Sequence, residues 1–204
     1  LSVIMSAADC CRGASPERQK GFLDTIHQEG TMMSSLINDM LTLSNSDNHT
    51  FPIRPKEVEL DTLLMNTYEA FEPLARGNGL TLGITLPEET IPVCTADDER
   101  ISQVLSILVH NAISYTPAGG RIDLSLLYKK NHFFLTVADT GIGIPPEDKK
   151  KIFDRFYRAE KSRSTKGHFG LGLSIASEII KHHHGAITVS DQTGGGSIFT
   201  VMLP

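Results

Sequence analysis

Apolar residues recur every third or fourth position in some stretches of the chain and every second position in others. Residues 1–50 read as helical throughout: a short stub, then a long helix with Ser15 as N-cap and Pro16 at its first position. Met33, Leu36, Met40 and Leu43 form a 3-4-3 seam that Phe22 and Ile26 extend. A single long helix and a stub cannot bury such a seam alone. The pattern therefore predicts pairing with a second copy in a helical bundle, with docking on the chain's own globular part as the alternative. The stretch "NHTFPIRPKE" (48–57) carries two prolines and no periodicity, so residues 51–57 are expected to link the helical segment 1–50 to a domain spanning 58–204.

In that domain, 60–79 predicts a helix stopped by glycines, and "LTLGITLP" and "IPVCTA" predict strands. Residues 97–117 predict a helix with an acidic start and a proline stop, and 120–139 a β-hairpin. Residues 170–185 predict a helix closed by Gly185, and 186–204 a last hairpin. Strand pairs interleaved with single helices imply an α+β fold, a two-layer α/β sandwich preceded by a helical segment.

Composition narrows the class. The 204 residues are 40% hydrophobic, enough for a packed core, and the net charge of −5 argues against nucleic acid or an anionic membrane surface as partner. Three cysteines, Cys10, Cys11 and Cys94, lack metal-like spacing and suit a reducing cytosol; the adjacent pair is a weak redox candidate. No run reaches the ~18–20 apolar residues of a membrane span. The chain begins at Leu1 in mid-pattern, so it reads as part of a longer, cytoplasmic-facing protein whose membrane anchor is expected outside it.

Chemistry concentrates in three places. On the 97–117 helix, Ile101, Val104, Leu105, Leu108, Ala112 and Tyr115 form the core stripe. Gln103, Ile107, Asn111 and Ser114 form a second stripe, with His110 beside it. Asn111 is a poor helix former whose amide oxygen could serve a hard cation, or simply face solvent. Along the strand, Phe133, Leu135, Val137 and Asp139 share one face, so Asp139 ends an apolar row and needs a donor. Thr140-Gly141-Ile142-Gly143 follows, a loop a ligand could approach closely; an ordinary strand-end turn is the bland alternative. Asp-Thr-Gly is also an aspartic-protease tripeptide, but those enzymes are nearly all β and the helices predicted here do not fit. Finally, Lys149, Lys150, Lys151, Arg155, Arg158, Lys161, Arg163 and Lys166 make a basic segment before Gly167, Gly170 and Gly172 and a helix start. Glycines ahead of a helix N-terminus suit phosphate, although this is neither a Walker loop nor a dinucleotide fingerprint. Phe153, Phe156 and Tyr157 read as packing anchors, and His182-His183-His184 as a helix C-terminal cap rather than a metal site.

The order of these signals resembles the ATP-binding catalytic domain of sensor histidine kinases, with its Bergerat-type fold. Its N box resembles "SQVLSILVHNAISYTP", its glycine boxes "DTGIGIP" and "GHFGLGLSIA", and its F box "IFDRFYR". The resemblance covers about 56–204, and "LSVI" at 1–4 is similar to the segment just after the family's phosphoacceptor motif, whose histidine would then lie upstream of Leu1. It implies ATP and Mg²⁺ as ligands, Asn111 as the Mg²⁺ ligand, Tyr115 along the nucleotide, and Asp139 accepting from the adenine amine. Gly141 and Gly143 would shape that pocket, Arg158 would lie near the terminal phosphate, and Gly167, Gly170 and Gly172 would belong to a lid. It also implies a homodimer through the N-terminal helices and a response-regulator receiver domain as partner. Three positions depart from the pattern: Ile107 replaces an asparagine, His110 an acidic residue and Ser114 a lysine. His110 could act as a base or orient water. The departures keep open a second reading, a nucleotide-binding or phosphatase scaffold with little kinase activity; a topoisomerase- or chaperone-type ATPase is more distant.

Overall fold

The computed structural model describes residues 2–12, 14, 15, 18–27, 30, 53–158 and 170–204. The chain divides into two compact units, Leu1–Thr50 and Phe51–Pro204.

In the first unit, α1 (Ser2–Cys11) ends in a turn closed by Arg12 N–H to the Asp9 carbonyl and Ala14 N–H to the Cys11 carbonyl. A second helix, α2, is described over 18–27; the Gln19 N–H donates to the Ser15 carbonyl at 2.9 Å, as expected for a helix entered at Ser15. Met5 and Leu23 are more than half exposed, and Phe22 and Ile26 are half-buried. Met33, Leu36, Met40 and Leu43 lie outside the described residues.

The second unit begins with β1 (Lys56–Val58), then α3 (Leu60–Gly77), β2 (Thr81–Thr85), β3 (Cys94–Ala96) and α4 (Asp98–Tyr115). A hairpin, β4 (Arg121–Lys129) and β5 (His132–Asp139), leads to α5 (Gly172–His182), β6 (Ala186–Asp191) and β7 (Ser197–Leu203). The main sheet runs β2-β4-β5-β7-β6, parallel only between β2 and β4. In β4, β5 and β7 alternation buries one face, and the register aligns it in rows: Leu126–Leu135–Val201, Leu124–Val137–Phe199, and Ile122–Asp139–Ser197. The helices bury Leu64, Ile101, Leu105, Leu108, Ile175 and Ile179, so the unit has two layers with one core between them.

Residues 56 and 57, expected in the linker, instead belong to β1, which pairs antiparallel with β3. The prolines bar a strand only as far as Pro55. Three residues with one inward side chain, Val58, are too few to show an alternation. On α4 the core face takes Val109 and Ile113, while Tyr115 is only half-buried at the last turn.

The helices α4 and α5 run antiparallel and are joined at the end far from the glycine loops. Asp97 caps α4, its carboxylate accepting from Arg100 N–H at 3.1 Å and from Arg54 N–H at 2.8 Å. Its own N–H donates to buried His183 Nε2 at 3.0 Å. His183 Nδ1 therefore carries the proton and donates to the Ile179 carbonyl at 2.8 Å. His183 is thus more than a C-cap: it ties the end of α5 to the start of α4.

Candidate functional site

Asp139 is 5% exposed and stands at the polar end of the apolar sheet face. Its Oδ1 accepts from Gly141 N–H at 2.8 Å and from Ser197 N–H at 3.3 Å. Both hydrogen bonds found for this carboxylate among the described residues fall on Oδ1, which leaves Oδ2 for an incoming donor. Burial raises the Asp139 pKa above the ordinary carboxylate value, against the lowering effect of the two backbone donors. A hydrogen-bond donor from a ligand would compensate that cost.

The loop around this carboxylate is packed against backbone. A Cβ at Gly141 would lie within 3 Å of the Tyr115 carbonyl and of Asp139 Oδ1. Gly196, with φ of 105°, has no room for a Cβ beside the Asp139 carbonyl. The sequence reading missed Gly196 and Ser197, although the run Gly194-Gly195-Gly196 marked the place. Gly143 (φ 69°) faces the Gly196 backbone, and Ile142 N–H donates to the Tyr115 carbonyl at 3.2 Å. Tyr115, Asp139, Gly141 and Gly143 therefore meet at one place.

From that place one stripe of α4 runs back through Asn111 to Ile107, half-buried along its length. Eight residues of helix span about 12 Å. At the far end Ile107 lies against Gly172, the first residue of α5, and a Cβ there would stand 3.2 Å from Ile107 Cγ2. The N-cap position, Leu171, makes no side-chain cap bond, and Ser174 turns its hydroxyl back to the Leu171 carbonyl. The first N–H groups of α5 thus form an uncapped, electropositive helix start. A buried acceptor at one end, an amide midway and an anion-seeking helix start at the other match a ligand with a donor head and an anionic tail. Asn111 offers the amide oxygen a hard cation accepts, whereas Ile107 offers none.

Gly170 (φ 74°) is held by the F-box backbone: its carbonyl accepts from Phe156 N–H at 2.9 Å, and a Cβ there would meet the Tyr157 carbonyl. Phe156 is not the expected packing anchor. It is 63% exposed because its left-handed backbone (φ 63°) turns the N–H to Gly170 and the ring outward. Ile152 is buried in this segment, and the Tyr157 hydroxyl donates to Asp148. Arg158 is half-buried, and Lys149 is paired with Asp191 at 2.5 Å. Gly167, Lys161, Arg163 and Lys166 lie outside the described residues. The His110 ring stands edge-on to Phe71 of α3 at 4.9 Å, and desolvation lowers its pKa, so it is neutral at pH 7. A groove of about 600 Å³ between β1, α3 and α4, lined by Leu63, Asn66, Phe71 and Ser106 among others, contains none of the residues singled out from the sequence.

Comparison with known proteins gives this geometry a family. The family described as histidine kinase-, DNA gyrase B-, and HSP90-like ATPase matches residues 96–204, and the His Kinase A (phospho-acceptor) domain matches 1–49. Sensor histidine kinase RppB of Synechocystis sp. is 38% identical over 183 residues, covering 89% of this chain and 40% of that protein. The chain thus spans well under half the length of that relative. Full-length ShkA in complex with AMPPNP superposes with a TM-score of 0.80 at 26% identity, over 93% of this chain and 39% of that one. Histidine kinase ThkA in complex with response regulator protein TrrA gives 0.77 at 25% identity, over 100% of this chain and 57% of that one. The chain belongs to the sensor histidine kinases, joining a phosphoacceptor-type helical segment to an ATPase domain of the histidine kinase, gyrase B and HSP90 type.

Proposed function

We propose that residues 51–204 bind ATP with Mg²⁺ and that the whole protein transfers the γ-phosphoryl group to a histidine upstream of Leu1, and from there to an aspartate of a response-regulator receiver domain. The observation that carries this reading is Asp139: a buried carboxylate with one oxygen satisfied by backbone and the other open, beside the Tyr115 end of an α4 stripe whose Ile107 end meets an uncapped helix start. Adenine supplies an amine donor to Oδ2, with Gly141 and Gly143 admitting the base and Tyr115 lying along it. The phosphates lie toward the first turn of α5, at the glycine run that holds Gly167, Gly170 and Gly172. Asn111 would hold Mg²⁺, which supplies charge neutralisation on the phosphates. Arg158 faces the terminal phosphate and stabilises charge developing in transfer. His110, next to Asn111 in the chain and neutral at pH 7, would accept a proton or orient a water.

The apolar exposure of Met5 and Leu23 supports homodimerisation through the N-terminal helices. The response regulator as partner draws support from the ThkA–TrrA complex. Among the described residues no helix is long and apolar enough to cross a membrane. We place the domain in the cytoplasm, with any membrane anchor outside residues 1–204. The test is [γ-³²P]ATP labelling with Mg²⁺ of a longer protein that includes the upstream histidine. Acid-labile label on that protein and none on residues 1–204 is expected; label on 1–204 alone contradicts the assignment of the acceptor.

A further inference from the structure

We infer that Ile107 is a positioning residue for the nucleotide phosphates: its γ carbons set the gap between the Asn111 stripe of α4 and the first turn of α5. This rests on the nucleotide reading above and deepens it.

The two helices touch the rest of the molecule differently at their two ends. At the end away from the glycine loops, α5 is fixed to α4 through His183 and the Asp97 N–H. At the glycine-loop end no hydrogen bond joins α5 to α4 among the described residues; there the contact is apolar packing, with Ile107 of α4 against Gly172 of α5. A Cβ at position 172 would lie 3.2 Å from Ile107 Cγ2 and 3.9 Å from Cγ1, with no other heavy atom within 4 Å outside its chain neighbours and its own helix backbone. Gly172 has no left-handed backbone to explain it, since its φ is helical. A methyl group there would require Ile107 or the helix to give by a few tenths of an ångström. The β-branched side chain is stiff at χ1, so both γ carbons are held in place and act as a fixed spacer. Asn111 is one turn further along the same stripe, and the uncapped N–H groups of α5 begin at Gly172. The Ile107–Gly172 contact therefore fixes how far the amide oxygen of Asn111 stands from the helix start that faces the phosphates. Asp139 is held by sheet register and backbone bonds that do not involve Ile107.

The inference separates affinity for the phosphates from affinity for the base. Titration calorimetry of residues 1–204 with adenosine, ADP and Mg²⁺–ATP is the measurement. Ile107→Ala removes both γ carbons and is expected to weaken ADP and ATP by about tenfold while leaving adenosine unchanged. Ile107→Val keeps both γ carbons and is expected within about twofold of wild type for all three ligands. Gly172→Ala pushes on the same contact and should weaken ATP as Ile107→Ala does, and the double variant Ile107→Ala/Gly172→Ala should recover part of the loss, because the new methyl fills the vacated space. Equal losses for adenosine and ATP, or unchanged ATP affinity in both single variants, overturn the positioning role. If the Ile107→Ala protein does not fold, the Val and Gly172 arms decide. Wild-type protein that binds neither adenosine nor ATP overturns the nucleotide reading itself.

Discussion

The two ends of the site are built by different means. At the Asp139 end, position comes from the sheet: Ile122 and Ser197 flank the carboxylate in register, and two backbone N–H groups hold one of its oxygens. At the α5 end, position comes from side-chain packing: Leu171 and Ile175 are fully buried in the first turn, and Ile107 packs on Gly172. Strand register is specified by every inward residue of three strands, so it tolerates single changes on the open face of the sheet. Packing depends on side-chain volume, and the contact beside the helix start is that of Ile107. The base end should thus be rigid and unforgiving of backbone change, and the phosphate end tunable.

The largest effect should come from Gly196. At a φ of 105° and with the Asp139 carbonyl where a Cβ would go, Gly196→Ala must break the turn before β7. A loss of about 3 kcal/mol or more in denaturant unfolding is expected; a loss under about 1 kcal/mol would show that the base end is as pliant as the other.

Asp139→Asn comes next. The asparagine Oδ1 can still accept from Gly141 and Ser197, but an NH₂ replaces the open oxygen. ATP affinity should fall by roughly 1–3 kcal/mol with no loss of melting temperature. The sign of the stability change follows from the raised pKa of Asp139. Its contribution is fully retained below the unfolded-state value and is lost as pH rises through the folded one, so at pH 7 the ionised group costs stability that asparagine does not. By the same shift, ATP binding should weaken on acidification at a higher pH than an ordinary carboxylate would cause, once Oδ2 is protonated; calorimetry across pH 4–7 reads this, and a flat profile would contradict an ionised acceptor.

His183→Ala tests the far attachment of α5. It leaves the Asp97 N–H and the Ile179 carbonyl without their side-chain partner, for an expected cost of about 1–3 kcal/mol in unfolding, with adenosine affinity unchanged. The smallest effect should be Lys149→Ala, an exchange at an ion pair whose aspartate partner is mostly exposed, at under about 1 kcal/mol.

Much of this was legible in the sequence because it is local. The alternation in 132–139 placed Asp139 on the buried face, and the acidic start and proline stop bounded α4. What was not legible was pairing across the chain. The Ser197 N–H reaches Asp139 from 58 residues away and His183 reaches Asp97 from 86, and no periodicity encodes such contacts. Strand β1 stayed hidden because three residues carry no pattern, and the contact of Gly172 with Ile107 joins residues far apart in the chain. Phe156 misled because aromatic residues are usually packed, whereas here the backbone makes the contact.

The central claim is that the open oxygen of Asp139 receives a purine amine. The most direct measurement is calorimetric titration of Mg²⁺–ATP and Mg²⁺–GTP into wild-type protein and Asp139→Asn at pH 7. Guanine presents a carbonyl where adenine presents its amine, so wild type should prefer ATP by tenfold or more, and Asp139→Asn should lose that preference. Equal binding of ATP and GTP by wild type, or a preference that survives the substitution, would contradict the account.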